Sequence, residues 1–282
     1  MKLCRYGKPG YEKPGLIDAE GRLRDLSKVV DNIGPNEISP RGLKMLSRVK
    51  PETLPPVNGG PRLGVPYVGI GKFVAIGLNY SDHAKEAGLP IPSEPIVFMK
   101  ATTCISGPSD DVIQPKNSTK LDWEVELGVV IGSQARYVDE AAALGHVAGY
   151  CIVNDVSERA FQMATTQWDK GKGFDTAGPI GPWLVTTDEI RDPQTLGMAL
   201  EVNGKRMQTG NTRTMVFSVA KIISHVSHYM TLLPGDIIAT GTPPGVGLGI
   251  KPTPVFLKPG DVMQLTIQGL GEQRQKVVPY QG

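Results

Sequence analysis

Three carboxylates on two apolar segments are the strongest chemical feature of the chain. Glu124 and Glu126 lie within LDWEVELGVVIG (121–132), and Asp155 follows VAGYCIVN (147–154). Alternate residues of a strand share one face, so Glu124 and Glu126 point the same way. Adjacent buried carboxylates repel each other and require a positive partner. Three carboxylate oxygens suit a hard divalent ion such as Mg²⁺ or Mn²⁺, whereas a salt-bridged or solvated strand face is the alternative.

A histidine and a glutamate three residues apart form a second pattern. His83 and Glu86 lie in NYSDHAKEAG (79–88), and on a helical turn they share one face, so the carboxylate can orient the imidazole as a base. The Gly/Pro-rich GLPIPSEP (88–95) that follows predicts a mobile lid. A surface histidine beside a glutamate is the alternative, because the pattern is short.

Three cations and one loop are further candidates. Lys100 in VFMK and Arg159 after Asp155 can face a carboxylate substrate, and Lys172 lies in the glycine-flanked segment DKGKGFDT. TGTPPGVGLG (240–249) lacks the Gly-Lys-Ser/Thr ending of a phosphate-binding loop, and its turn-forming residues indicate a loop around a site. Most lysines and arginines are simply solvated, so none of the cations identifies a site alone.

The elements that must position these residues are short strands and few helices. A Ser157 N-cap predicts a helix over SERAFQMATTQ (157–167), and Asn203-Gly204 predicts a hairpin. Apolar residues at helical spacing predict an amphipathic helix whose two histidines, three residues apart, are structural. The predicted elements are strands 73–78, 96–101, 121–132 and 147–155, helices 82–88, 157–167 and 216–230, and a hairpin over 198–210.

Composition limits the function classes. The 282 residues are 40% hydrophobic with a formal net charge of +2 and no long run of lysines or arginines, which argues against nucleic acid or an anionic membrane as a partner. Counts of 34 Gly and 24 Pro indicate a β-rich fold with many turns. Three cysteines without C-x-x-C spacing, and no apolar run long enough to span a bilayer, predict a cytoplasmic protein.

A Pro/Gly-dense stretch predicts a small N-terminal domain with its linker (1–65) and a larger domain (66–282).

Seven segments in register resemble the fumarylacetoacetate hydrolase superfamily over about residues 70 to 280. They are GLNYSDHAKEAG, VFMKATT, LDWEVELGVVIG, GYCIVNDVSERAFQ, KGKGFDTAGPIGPW, the hairpin around EVNG, and PGDIIATGTPPGVG. The resemblance implies an α+β, mostly β fold, a mixed β-roll with flanking helices and a small N-terminal α/β domain, commonly a homodimer.

The same resemblance implies the residues' roles. It assigns Mg²⁺ or Mn²⁺ to the three carboxylates, water activation to His83 and Glu86, and contact with the substrate oxygens to Lys172. Lys100 remains a candidate to face the substrate, and the resemblance implies that Arg159, Gln162 and Thr242 lie in the pocket.

The resemblance implies catalysis on 2-oxo and 2,4-dioxo acids. We expect a metal-dependent hydrolase that cleaves a carbon–carbon bond of an acylpyruvate-type 2,4-dioxo acid to pyruvate and a carboxylic acid. The stretch GLPIPSEPIVFMKATTCISGPSDD most resembles the sugar-acid branch, including 2,4-diketo-3-deoxy-L-rhamnonate hydrolases. Alternatives are an oxaloacetate decarboxylase, a dioxo acid isomerase, a dehydratase of 2-oxo-3-deoxy sugar acids, a ureidoglycolate lyase, and a non-catalytic metal-binding protein.

Overall fold

Strands dominate the structure, a computed structural model that describes residues 1–281. Within those residues, no helix is long and apolar enough to cross a membrane. The strands are β1 (Lys2–Tyr6), β2 (Lys13–Ile17), β3 (Leu23–Asp25), β4 (Phe73–Gly77), β5 (Ile96–Lys100), β6 (Ile105–Ser106), β7 (Val112–Gln114), β8 (Leu121–Asp122), β9 (Val125–Ile131), β10 (Val147–Asn154), β11 (Ser157–Glu158), β12 (Gly178–Thr186), β13 (Gly197–Val202), β14 (Lys205–Asn211), β15 (Ile237–Ala239), β16 (Val262–Ile267) and β17 (Gly271–Pro279). The helices are α1 (Pro40–Leu46), α2 (Ser81–Ala87), α3 (Glu140–Ala143), α4 (Arg159–Gln162), α5 (Asp169–Lys172) and α6 (Val219–Tyr229).

The strands form mixed sheets around one core, and the predicted mostly β fold class is confirmed. The largest sheet runs β3-β2-β1-β12-β10-β9-β15-β4-β5, with β6 pairing to β12. A five-stranded sheet, β14-β13-β16-β17-β7, packs nearby, and β8 pairs with β11. Every residue of β9 and β10 is buried, which explains why their sequences are almost continuously apolar.

The N-terminal strands extend the main sheet. β1 pairs antiparallel with β12 through Lys2↔Val185 and Leu3↔Leu184, and Leu3 belongs to the same hydrophobic core as Phe73. The division at residues 65 and 66 stays a prediction, but the first three strands share both a sheet and a core with the rest of the chain.

The hairpin and the long helix have the predicted form. Asn203 and Gly204 have φ values of 52° and 75°, as a two-residue turn of this kind requires. The helix begins after Ser218, whose side chain accepts a hydrogen bond from the Lys221 backbone N–H. Because the hydroxyl satisfies a first-turn N–H, the helix starts three residues later than the apolar pattern indicates.

Two predicted elements differ from the structure. The strand predicted over 121–132 is interrupted at Trp123 and Glu124, because β8 turns away to pair with β11. The helix predicted from Ser157 is instead the single turn α4, and its N-cap is Glu158, whose carboxylate accepts the Phe161 N–H at 2.7 Å. Ser157 lies in β11 and pairs with Asp122, so its backbone is extended.

Candidate active site

Sheet pairing brings the three predicted carboxylates together. β9 carries Glu126, the residue before β9 is Glu124, and Asp155 directly follows β10, the antiparallel neighbour of β9. The Asp155 backbone N–H donates to the Glu124 carbonyl at 2.9 Å, which continues the ladder past the strand end. One oxygen from each carboxylate lies within 4.8 Å of the others, and all three residues are buried.

Two of these carboxylates are paired with buried cations. Lys172 Nζ donates to Glu124 Oε2 and to Asp155 Oδ2, each at 2.7 Å. Arg159 Nη2 reaches Glu124 Oε1 at 2.7 Å, and Lys100 Nζ reaches Asp155 Oδ1 at 2.6 Å. Burial alone would raise the pKa of Glu124, but the charges of Lys172 and Arg159 outweigh it and hold that pKa below its ordinary value.

Glu126 is the carboxylate without a cation. Its Oε2 accepts the Gly241 N–H at 2.8 Å, and within residues 1–281 no basic side chain lies within ion-pair distance of it. Burial, reinforced by the charges of Asp155 and Glu124, raises its pKa well above the ordinary value. The cluster therefore lacks positive charge at Glu126, and its all-oxygen donors fit a hard divalent ion.

Arg159 is held by three acceptors. Besides Glu124, its Nη1 donates to Gln162 Oε1 at 3.0 Å and its Nε to Asp122 Oδ2 at 2.8 Å. Asp122 is fully buried and was missed in the sequence, although it lies two residues before Glu124 in the alternating pattern D-x-E-x-E. Its carboxylate also accepts the Gly247 N–H at 2.7 Å, so it joins Arg159 to the loop predicted to surround the site.

The histidine and glutamate of α2 are paired and face the same loop. His83 Nδ1 lies 3.1 Å from Glu86 Oε2, as predicted for two residues on one helical face. Glu86 Oε1 accepts the Gly245 N–H at 2.9 Å. Gly249 packs so closely that a Cβ there would lie 2.8 Å from the Glu86 carboxyl carbon. The carboxylate thus fixes the imidazole and seats α2 on the loop.

A cavity of about 520 Å³ joins these groups. Its wall includes the predicted residues His83, Glu86, Glu124, Glu126, Asp155, Arg159, Gln162, Lys172 and Thr242. Thr242 donates through its hydroxyl to the Val125 carbonyl at 2.9 Å. Lys100 does not line the cavity: its ammonium lies behind Asp155 and also donates to the Lys172 carbonyl.

Two aromatic residues in the wall were not predicted. Phe98 on β5 and Trp168 before α5 meet edge to face, with ring centroids 5.3 Å apart. Phe98 appeared in the sequence only as part of a strand, and Trp168 lies in a segment predicted as helix end and loop. No local pattern identifies them, because their proximity depends on how α5 packs against β5.

Gly171 sets the position of Lys172. A Cβ at Gly171 would collide with the Gln162 backbone N and lie 2.5 Å from its Cα, where α5 crosses α4. We expect Gly171→Ala to lower the free energy of unfolding by about 1–3 kcal/mol, because the two backbones must separate. Thermal and urea unfolding measure the change. Gly145→Ala is the matched control, since no atom lies within 4 Å of its added Cβ, and equal stability of the two variants would contradict this packing.

Comparisons with known proteins identify a matching family. Residues 72–278 match the family model described as "Fumarylacetoacetate (FAA) hydrolase C-terminal". A Burkholderia multivorans protein, named provisionally as a hydrolase, is 61% identical over 276 residues, covering 98% of both chains.

Solved structures are similar over the whole chain. Fumarylacetoacetate hydrolase from Exiguobacterium antarcticum is 36% identical with a TM-score of 0.89, covering 99% of this chain and 100% of that chain. Maleylpyruvate hydrolase from Sphingobium sp. SYK-6, in complex with manganese(II) and pyruvate, is 29% identical with a TM-score of 0.83 and full coverage of both chains. Other similar structures have isomerase names. The strands, the buried acidic cluster and these matches together place the chain in the fumarylacetoacetate hydrolase family.

Proposed function

We propose that the protein is a divalent-metal-dependent hydrolase that cleaves the carbon–carbon bond of a 2,4-dioxo acid, giving pyruvate and a second carboxylic acid. The observation that carries the proposal is the His83–Glu86 pair, which opens onto the same cavity as the three carboxylates and Lys172. A hydrolase needs a base for water beside a group that polarises the substrate carbonyl, and the imidazole and the carboxylate cluster are residue types that suit these two tasks. The manganese and pyruvate bound by the maleylpyruvate hydrolase support this chemistry.

Glu124, Glu126 and Asp155 would hold the ion, Mg²⁺ or Mn²⁺. When bound, it would supply positive charge that orients a 2-oxo carboxylate and stabilises an enolate oxygen. The buried, cation-poor carboxylate of Glu126 is the feature that favours an ion here over a purely protein-paired cluster.

His83 would take the proton of the attacking water. Because Nδ1 faces Glu86, the free nitrogen is Nε2, and Glu86 fixes this tautomer by accepting the Nδ1 proton. Hydroxide would add to the carbonyl at C4, the C3–C4 bond would break with its electron pair on C3, and the pyruvate enolate would leave and accept at C3 the proton that His83 took from water. Protonation at C3 completes pyruvate.

Lys172 would stabilise the oxygen that becomes negative in this step. Its ammonium lies at the cavity wall between Glu124 and Asp155, and the charges of these carboxylates raise its pKa against the lowering effect of burial, so it stays protonated. Removing one such donor commonly costs 10²–10³-fold in kcat, on the order of 3–4 kcal/mol. Lys100, which holds Asp155 from behind, is better described as a positioning residue than as the substrate-binding residue predicted from the sequence.

A pyruvate-release assay tests the proposal. Purified protein is incubated with acylpyruvates, 2,4-dioxo-3-deoxy sugar acids, 2-oxo-3-deoxy sugar acids, oxaloacetate and ureidoglycolate, with Mg²⁺, Mn²⁺ or EDTA. We expect pyruvate and the matching carboxylic acid in equal amounts, and no turnover in EDTA. Pyruvate with carbon dioxide from oxaloacetate alone would make the protein a decarboxylase. An isomerised product would make the protein an isomerase, and a dehydrated product would make it a dehydratase. Glyoxylate released from ureidoglycolate would make it a ureidoglycolate lyase.

A homodimer and a cytoplasmic location stay predictions from the sequence. Size-exclusion chromatography with light scattering measures the first.

A further inference from the structure

The cavity is divided into a polar inner end and an apolar outer wall. The acidic cluster, Lys172 and Arg159 are buried, whereas the side chains around the opening are almost all apolar. Six of these are Leu78, Leu89, Phe98, Met163, Trp168 and Leu248, and Leu89, Met163 and Leu248 are exposed to solvent. Exposed apolar side chains grouped at a cavity mouth are typical of a ligand-binding surface.

The apolar wall begins directly beside the reactive end. Lys172 Nζ lies 5.5 Å from the centroid of the Phe98 ring, and Phe98 in turn contacts Trp168 edge to face. The indole lies against β4 at Gly77, where a Cβ would be 2.5 Å from Trp168 Cζ3. A chain leaving the inner end next to Lys172 therefore meets two aromatic rings held in fixed positions.

The polar side chains of the wall have few free groups for hydroxyls of a substrate tail. Thr242 is bonded to Val125 and Gln208, and Glu86 is bonded to His83 and a loop N–H. Gln162 Oε1 is bonded to Arg159, so among the described residues of this group the Gln162 amide Nε2 is the donor left for a tail hydroxyl. Apart from the acidic cluster, Lys172, Arg159 and the His83–Glu86 pair, Lys251 is the one charged residue among the described residues that line the cavity. A hydroxyl buried without a partner costs on the order of 1–3 kcal/mol, so a polyhydroxylated tail is disfavoured.

We infer that the preferred substrates are 2,4-dioxo acids whose acyl tail is apolar, aliphatic or aromatic, and that Trp168 determines this preference. The inference rests on the proposed function and specifies the part of the substrate beyond C4. It replaces the sugar-acid tail expected from the sequence, because hydroxyls would lie against Phe98 and Trp168 without hydrogen-bonding partners.

Matched substrates test the tail. Initial rates are measured with acetylpyruvate, pentanoylpyruvate, benzoylpyruvate and a polyhydroxylated 2,4-dioxo acid with the same chain length as pentanoylpyruvate. We expect kcat/KM to be about 10–100-fold higher for the two larger apolar substrates than for the hydroxylated one. A preference for the hydroxylated substrate would overturn the inference, while hydrolysis of any of these substrates would leave the proposed function intact.

Variants test the role of Trp168. Trp168→Ala is expected to lower the ratio of the kcat/KM for benzoylpyruvate to the kcat/KM for acetylpyruvate by about tenfold or more. Trp168→Phe is expected to retain most of this ratio. Gly77→Ala should shift the same ratio, because it displaces the indole without removing it. Tyr280→Ala, an exposed aromatic outside the cavity wall, is the control. An unchanged ratio in a folded Trp168→Ala protein would contradict the assignment.

Binding keeps the inference testable without turnover. If no 2,4-dioxo acid is cleaved, the proposed function fails, and calorimetric titration in Mg²⁺ then compares 2-oxooctanoate with a polyhydroxylated 2-oxo acid of similar length. Tighter binding of 2-oxooctanoate, weakened by Trp168→Ala, supports an apolar tail subsite. Equal or weaker binding of 2-oxooctanoate rejects it.

Discussion

Replacing His83 by alanine is expected to lower kcat for the preferred 2,4-dioxo acid by about 10²–10⁴-fold, the usual contribution of a positioned general base. The loss follows from the proposed role of His83 as the base, since its imidazole lines the cavity and lies 3.1 Å from an orienting partner, Glu86. Within residues 1–281 no ion pair joins His83 to the three carboxylates or Lys172, so Mn²⁺ affinity should change little. Steady-state kinetics and calorimetric Mn²⁺ titration of the same protein measure both quantities.

Glu86→Gln is the companion variant for this experiment. Its one remaining oxygen can accept the Nδ1 proton in place of Oε2, while its amide NH2 replaces the Oε1 that accepts the Gly245 N–H. The negative charge that stabilises the imidazolium is removed. We expect a loss of kcat that is smaller than for His83→Ala, with the fold unchanged by circular dichroism. Full hydrolysis by His83→Ala would exclude the dyad from the mechanism and leave water activation to another group.

The acidic cluster could be predicted from the sequence because it depends on local rules. Glu124 and Glu126 share a strand face by alternation, and Asp155 ends the other long apolar strand, so pairing of two adjacent buried strands is enough to join them. The His83–Glu86 pair is equally local, because a separation of three residues on a helical turn fixes its geometry. The family match over residues 72–278 confirms the resemblance on which the fold class rested.

The remaining parts of the site depend on contacts between distant segments. Lys100 faces away from the cavity because the Asp155 carboxylate and the Lys172 carbonyl take its protons, which strand alternation on β5 does not reveal. Trp168 reaches Phe98 only when α5 packs against β5. The short α4 likewise reflects tertiary pairing, because β11 binds β8 and overrides the helical tendency of residues 157–158.

Glu126→Gln and Glu124→Gln are expected to change the stability of the metal-free protein in opposite directions. Glu126 has no cationic partner and lies beside two other carboxylates, so neutralising it should raise the free energy of unfolding by about 1–2 kcal/mol. Glu124 is paired with Lys172 and Arg159, so neutralising it leaves two buried cations with less compensation and should cost about 3–5 kcal/mol. Urea unfolding in EDTA measures both.

Metal addition separates this account from simple packing changes. A ligand at 100 times its Kd adds about 2.7 kcal/mol to the stability of the protein that binds it. Saturating Mn²⁺ should therefore stabilise the unmutated protein by an amount of that order and stabilise Glu126→Gln much less, while hydrolysis by Glu126→Gln is nearly lost. Without metal, Glu126→Gln would then be more stable than the unmutated protein, and with metal it would be less active. This result is expected if the carboxylate repulsion at Glu126 destabilises the metal-free protein but serves ion binding. A Glu126→Gln protein that is destabilised in EDTA, or that keeps the full Mn²⁺ response, would show that this carboxylate is not the cation-poor ligand of the site.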